Sequence, residues 1–119
     1  MAVDIYSYPS CSTCKKAEKW LEEQGVSFTR HHIVESPPSA DELKKLHQIS
    51  DYPIQKFFNT SGKKYRELGL KDKVKEAENE ELYDILASDG MLIKRPIVTD
   101  GNLVTLGFKE ALFEETWKQ

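Results

Sequence analysis

The strongest constraint on this chain is where its only two cysteines stand. Cys11 and Cys14 sit three positions apart, after Tyr8-Pro9 and at the start of a run with helical spacing. Val3, Ile5 and Tyr6 read as a short strand ending at Tyr8-Pro9, because proline has no N–H to extend a ladder. From there to about Gln24, Cys14, Ala17 and Leu21 recur on one helical face, with Trp20 beside them. Lys15, Lys16, Lys19, Glu22 and Glu23 fill the rest of that helix, and Gly25 is its expected stop. Ser27 to Ile33 reads as a second strand anchored by Phe28 and Ile33. Strand, C-x-x-C loop, helix and strand make a βαβ opening.

Pro37-Pro38 break the chain, and Ser39-x-x-Glu42 is a capping-box pattern ahead of Leu43, Leu46 and Ile49. Tyr52-Pro53 ends that helix. One or two short helices are expected around Phe57-Phe58 and Tyr65-Leu68. Asn79 is a candidate N-cap before Leu82, Ile85 and Leu86, and Gly90 a candidate stop. After Arg95-Pro96, Ile97-Val98-Thr99 and Leu103-Val104-Thr105-Leu106 flank Asp100-Gly101, a hairpin signal. A last helix is expected from about Lys109 to Trp117, with Leu112, Phe113 and Trp117 inward. The order βαβ, helical insert, ββα predicts an α/β (α+β) fold: a small mixed four-stranded sheet flanked by helices. At 119 residues the chain is expected to form a single domain, 1–119, with the helical insert at about 38–90.

Composition narrows the function. Hydrophobic residues make up 39% and charged residues 31%, as in an ordinary soluble globular chain. A net charge of -3 and a pI near 5.6 argue against direct nucleic-acid binding, which needs a basic footprint. No apolar run is long enough to span a membrane, and the N-terminus has no secretory pattern, so no membrane association is expected. Two cysteines exclude a disulfide-dense scaffold.

The C-x-x-C therefore carries the chemistry. At a strand-to-helix junction the first cysteine lies near unpaired N–H groups and the helix dipole, which stabilise a thiolate. The second, one turn in, can attack a mixed disulfide formed by the first. A zinc site needs four ligands, and there is no second C-x-x-C. His31 and His32 are adjacent and point to opposite faces of a strand, and His47 reads as a surface helix residue. No metal or other cofactor is expected. A phosphatase-type loop needs an arginine six positions after the cysteine, where this chain has Ala17.

Tyr8-Pro9-Ser10-Cys11-Ser12-Thr13-Cys14-Lys15-Lys16-Ala17, Tyr65-Arg66-Glu67-Leu68-Gly69-Leu70 and Leu92-Ile93-Lys94-Arg95-Pro96-Ile97 together resemble the arsenate reductase (ArsC)/Spx/MgsR family. The resemblance runs along essentially the whole chain. It implies a thioredoxin-like fold with the helical insertion after the second strand, and a cis Arg95–Pro96 bond beside the cysteine loop. Pro96 as a plain strand-start proline is the other reading. It implies Cys11 as attacking thiol, Cys14 as resolving thiol and Arg95 as the nearby positive charge, with Ser12, Thr13 and Pro96 as supporting or substrate-binding positions. A surface strand-start arginine is the alternative for Arg95.

The family holds two specialised functions, and the chain departs from both. Its glutathione- and glutaredoxin-coupled arsenate reductases surround the oxyanion with three arginines. Only Arg95 matches; the other two positions align with Asn59 and about Phe108. Spx-type regulators bind RNA polymerase and carry a glycine where Pro53 aligns, and a longer basic tail. The expectation is a cytoplasmic thiol–disulfide oxidoreductase or redox-responsive protein. Its partner is expected to be a thiol reductant (glutathione, glutaredoxin or thioredoxin) or a disulfide-bearing protein, with RNA polymerase disfavoured.

Overall fold

The computed structural model describes residues 2–118. Alternation along its first strand, β1 (Ala2–Ser7), turns Val3 and Ile5 to one core and Tyr6 to another. That is the period-two pattern of a strand covered on both faces. β1 is an inner strand of a four-stranded sheet with β2 (Ser27–His32), β3 (Ile97–Thr99) and β4 (Val104–Leu106), in the order β2-β1-β3-β4. β2 runs parallel to β1, from Ala2 opposite Ser27 to Ser7 opposite His32. β3 is antiparallel to β1, and β4 to β3. The mixed sheet flanked by helices is the architecture the sequence pattern predicts.

One face is covered by α1 (Ser12–Glu23) and α6 (Glu110–Trp117). Ala17, Trp20 and Leu21 pack with Phe113 and Trp117 against Val3, Ile5 and Val98. Trp20 meets Phe113 edge-on at 5.4 Å between ring centroids. The buried Trp117 Nε1–H donates to Thr105 Oγ1 at 3.0 Å, so its polar end is satisfied. α1 stops where the sequence places the stop: Gly25 takes a left-handed φ of +71°. Its N–H donates to the Glu22 carbonyl at 3.1 Å, and the Val26 N–H to the Leu21 carbonyl at 2.9 Å. These are the two bonds of a Schellman end.

The other face carries the insert between β2 and β3: α2 (Ala40–Ile49), α3 (Lys63–Glu67), α4 (Leu70–Glu76) and α5 (Asn79–Ser88). The Ser39 hydroxyl caps α2 by accepting the Glu42 N–H at 3.1 Å. Leu43 and Leu46 are buried beneath it, but Ile49, expected on the same face, is 39% exposed. α4 has no counterpart in the sequence reading. Gly69, left-handed at φ +59°, separates it from α3, and neither piece is long enough to show a period.

Three other expectations also change. Asn79 is the first helical residue of α5 rather than its cap, and Glu78 takes the cap position without a side-chain bond. Gly90 is no left-handed stop. It begins a 3₁₀ turn, Gly90–Leu92, and a Cβ there would lie 1.9 Å from the Ile33 carbonyl oxygen. A close approach of two backbones, not a turn, requires the glycine. His47 is half-buried, its Nδ1 2.6 Å from the Tyr83 hydroxyl. Among the described residues, no helix is long and apolar enough to cross a membrane.

Candidate active site

The cysteine loop is built by one turn and one helix start. Tyr8-Pro9-Ser10-Cys11 closes with the Cys11 N–H donating to the Tyr8 carbonyl at 3.0 Å. Proline suits the second position of such a turn because its φ is already set. Cys11 then stands as the N-cap of α1 in extended backbone, and its sulfur accepts the Cys14 N–H at 3.2 Å. A sulfur occupies the place where serine, threonine, aspartate or asparagine oxygen ordinarily caps a helix. Cys11 is half-exposed, Cys14 is buried, and both are free thiols.

Their surroundings pull the two thiols apart. Burial pushes the Cys11 thiol up, but hydrogen bonds from the Cys14 thiol and N–H, and the positive charge of Arg95, outweigh it, so the net shift is down. Burial pushes the Cys14 thiol up to about 12, and the neighbouring Cys11 sulfur adds to that. The ionised form is favoured at the half-exposed sulfur and the neutral form at the buried one.

Arg95 is placed by the loop that enters β3. Its guanidinium carbon lies 5.5 Å from the centroid of the Tyr8 ring, a cation–π geometry. The Nη1 group is buried and has no hydrogen-bond partner. The Arg95–Pro96 bond is cis, and Pro96 is buried. Ser12 is exposed on the first turn of α1. Thr13 lines a cleft of about 470 Å³ with Arg95 and Phe108.

Tyr8 has no role in the sequence reading, yet its carbonyl holds the Cys11 N–H and its ring carries Arg95. Its position before the proline of the turn was the available signal. On the far flank of α1, Cys14 lines a second cleft with Glu18 and Arg30. Arg30 holds the Glu18 carboxylate with two bonds of 2.7 and 2.9 Å, and the Ser7 hydroxyl adds a third at 3.0 Å. The bond from Arg30 outweighs partial burial and keeps the Glu18 carboxyl below its ordinary range.

The two histidines of β2 are engaged by their neighbours. His31 Nε2 is 2.9 Å from Asp4 Oδ1, and its ring stacks on Tyr6. His32 meets the Tyr8 ring edge-on and accepts the N–H groups of Val34 and Glu35 at Nδ1. Among the described residues, no group of three His, Cys, Asp or Glu side chains could hold a metal ion. At the two positions aligned with arginines in the reductases, Asn59 accepts the Ser61 hydroxyl at 3.3 Å. Phe108 packs its ring edge-on against Phe113.

Comparison with known proteins places the chain in a family. The ArsC family model matches residues 6–116. The uncharacterized protein YusI of Bacillus subtilis is 56% identical over 117 residues, covering 98% of this chain and 99% of its own. The global transcriptional regulator Spx of Streptococcus pyogenes is 32% identical over 108 residues, covering 91% of this chain and 79% of its own. The crystal structure of an ArsC-family related protein from Bacteroides fragilis superimposes with a TM-score of 0.92 at 43% identity, covering 97% of both chains. The fold is thioredoxin-like, and the chain belongs to the ArsC family.

Proposed function

We propose that the chain is a thiol–disulfide oxidoreductase in which Cys11 attacks and Cys14 resolves. The observation that carries this is the N-cap geometry: a half-exposed sulfur takes the Cys14 N–H at 3.2 Å beside the charge of Arg95. The Cys11 thiolate attacks a disulfide R–S–S–R, forming Cys11–S–S–R and releasing R–S⁻. Cys14 gives up its proton and attacks the Cys11 sulfur, releasing the second R–S⁻. The protein dithiol is oxidised by two electrons, and the substrate disulfide becomes two thiols. A thiol reductant closes the cycle by the same steps in reverse. A lowered pKa helps Cys11 twice, as thiolate at neutral pH and as leaving group when the second reductant thiol releases it from its mixed disulfide. Two free thiols suit the reducing conditions of the cytoplasm, the location we propose.

The similarity to Spx supports a second reading, a regulator that acts through contact with RNA polymerase, with the disulfide as its switch. Pro53, exposed at the position aligned with the glycine of those regulators, weighs against it.

Two measurements test the proposal. Mild oxidation is expected to remove two hydrogens from the mass of the monomer and to protect both thiols from alkylation. Cys14→Ser is expected to accumulate mixed disulfides on Cys11, and identifying what is trapped names the partner. If both cysteines remain freely alkylated after oxidant, or oxidise only between chains, the redox-pair reading is wrong.

A further inference from the structure

Arg95 is held in an unusual way. Its Nη1 is buried and has no hydrogen-bond partner. Among the described residues it has no ion-pair partner, and no carboxylate lines its cleft. A buried donor without an acceptor is destabilising, and a long, flexible side chain does not keep one place unaided. The Tyr8 ring is what holds it, with its centroid 5.5 Å from the guanidinium carbon. The π face of an aromatic ring attracts a cation and accepts an N–H.

Arg30 supplies the contrast. It also lies over a ring, 5.7 Å from the Phe28 centroid, but the Glu18 carboxylate grips it with two bonds. A carboxylate fixes an arginine and cancels its charge. An aromatic face fixes it and leaves the charge whole. Beside Cys11 that difference has a chemical consequence. A carboxylate paired with Arg95 would oppose the very thiolate that the arginine favours.

Tyr8 is itself fixed at both ends. Its carbonyl accepts the Cys11 N–H at 3.0 Å, which ties its backbone to the cysteine turn. The His32 ring meets its ring edge-on, with centroids 5.7 Å apart and planes at 81°. His32 is locked in turn, because its Nδ1 accepts the N–H groups of Val34 and Glu35 at 3.2 and 3.0 Å. Parallel pairing sets Ser7 opposite His32 and so brings Tyr8 beside that ring.

We infer that Tyr8 is a positioning residue of the cysteine loop, whose ring, backed by His32, holds the uncancelled charge of Arg95 at the Cys11 sulfur. It acts through Arg95 rather than on the reacting atoms. The inference rests on the reading of Cys11 as the attacking thiol and names the residue that prepares it.

The test follows Cys11 by site-resolved iodoacetamide alkylation of the full-length protein across pH. Tyr8→Leu keeps bulk and removes the π face. It is expected to slow Cys11 alkylation at pH 6 by about 2–5-fold, the scale of a partly exposed cation–π contact. Tyr8→Phe keeps the ring and is expected to restore the wild-type profile. In an Arg95→Ala background Tyr8→Leu is expected to add no further slowing, as for two residues that act through one interaction. A residue that only shapes the turn would slow alkylation in both backgrounds. NMR of the wild type reads the same contact without any substitution, so the inference stays testable if Tyr8→Leu does not fold. The Arg95 side-chain protons are expected to be moved upfield by the ring current of Tyr8. The inference is overturned, with the redox reading left standing, by any of four results. These are a profile unmoved by Tyr8→Leu or by Arg95→Ala, no rescue by Tyr8→Phe, equal slowing with and without Arg95, and Arg95 protons at ordinary shifts. If oxidant closes no Cys11–Cys14 bond, the redox reading fails and this inference with it.

Discussion

The Cys14 N–H points at the Cys11 sulfur from 3.2 Å, so the residue whose own thiol is hardest to ionise stabilises the ionised form of its neighbour. Site-resolved alkylation with iodoacetamide is expected to show Cys11 reacting with a midpoint below the ordinary thiol value of ~8.5. Cys14 is expected to stay unreactive until strongly alkaline pH, its thiol being pushed up to about 12. Faster alkylation of Cys14 than of Cys11 below pH 7 would reverse the roles. The raised Cys14 value also has a sign in stability. The unfolded thiol ionises first, so the contribution is present in full below ~8.5 and is lost as pH rises toward about 12. Denaturant titrations of wild type and Cys14→Ala from pH 7 to 10.5 are expected to converge as pH rises.

Removing the Arg95 charge is expected to raise the Cys11 midpoint. A neighbouring cation favours the thiolate, so Arg95→Ala should slow alkylation at pH 6 several-fold. Arg95→Lys keeps the charge but not the planar stack on Tyr8, and is expected to restore part of the loss. An unchanged midpoint in Arg95→Ala would mean that the helix start alone lowers the thiol.

Arsenate is expected to be a poor substrate. Asn59 bonds Ser61 and Phe108 presents a ring, so only Arg95 offers a fork among the three aligned positions. Each lost charge-assisted bidentate contact removes ~1.5–3 kcal/mol, which makes two losses worth roughly 100-fold or more. A coupled assay with glutathione and glutaredoxin is expected to show weak turnover or none. Rates matching an arsenate reductase of the family would show that Lys56, Lys94 and Lys109, which line the cleft with Arg95, rebuild the oxyanion site.

Gly90→Ala tests packing away from the cysteines. A methyl group 1.9 Å from the Ile33 carbonyl oxygen must push two backbone segments apart. The expected loss is about 3 kcal/mol, at the upper end for overpacking, read as a lower denaturant midpoint with little change in slope. Gly25→Ala, at a left-handed position with open space around it, is expected to cost less, about 1 kcal/mol.

The parts of the fold that were legible are those the chain punctuates. Pro9, Gly25 and Asp100-Gly101 mark ends that local chemistry alone enforces, so β1, α1 and the β3–β4 hairpin follow from them. α4 and the role of Gly90 were not legible. α4 is too short to show a period, and Gly90 answers to a carbonyl on a segment distant in sequence. His47 resembles a surface residue until Tyr83, from another helix, meets its ring. In the site, Cys11 and Cys14 announce themselves by spacing. The choice between a surface role and a site role for Arg95 turns on the Tyr8 ring beneath it. The cleft lysines carry no local signal, because three separate segments bring them together.

The sulfur cap on α1 also ties helix formation to electron transfer. In the reduced chain the Cys11 sulfur is the acceptor that satisfies the Cys14 N–H. Closing a Cys11–Cys14 disulfide would take away its negative charge and leave a weaker acceptor at the same spot. Reduction, ionisation and folding then form one thermodynamic cycle, in which whatever steadies the thiolate in the native chain favours the dithiol over the disulfide by the same amount. A substitution that frays the first turn of α1 would make the pair less oxidising without touching either cysteine.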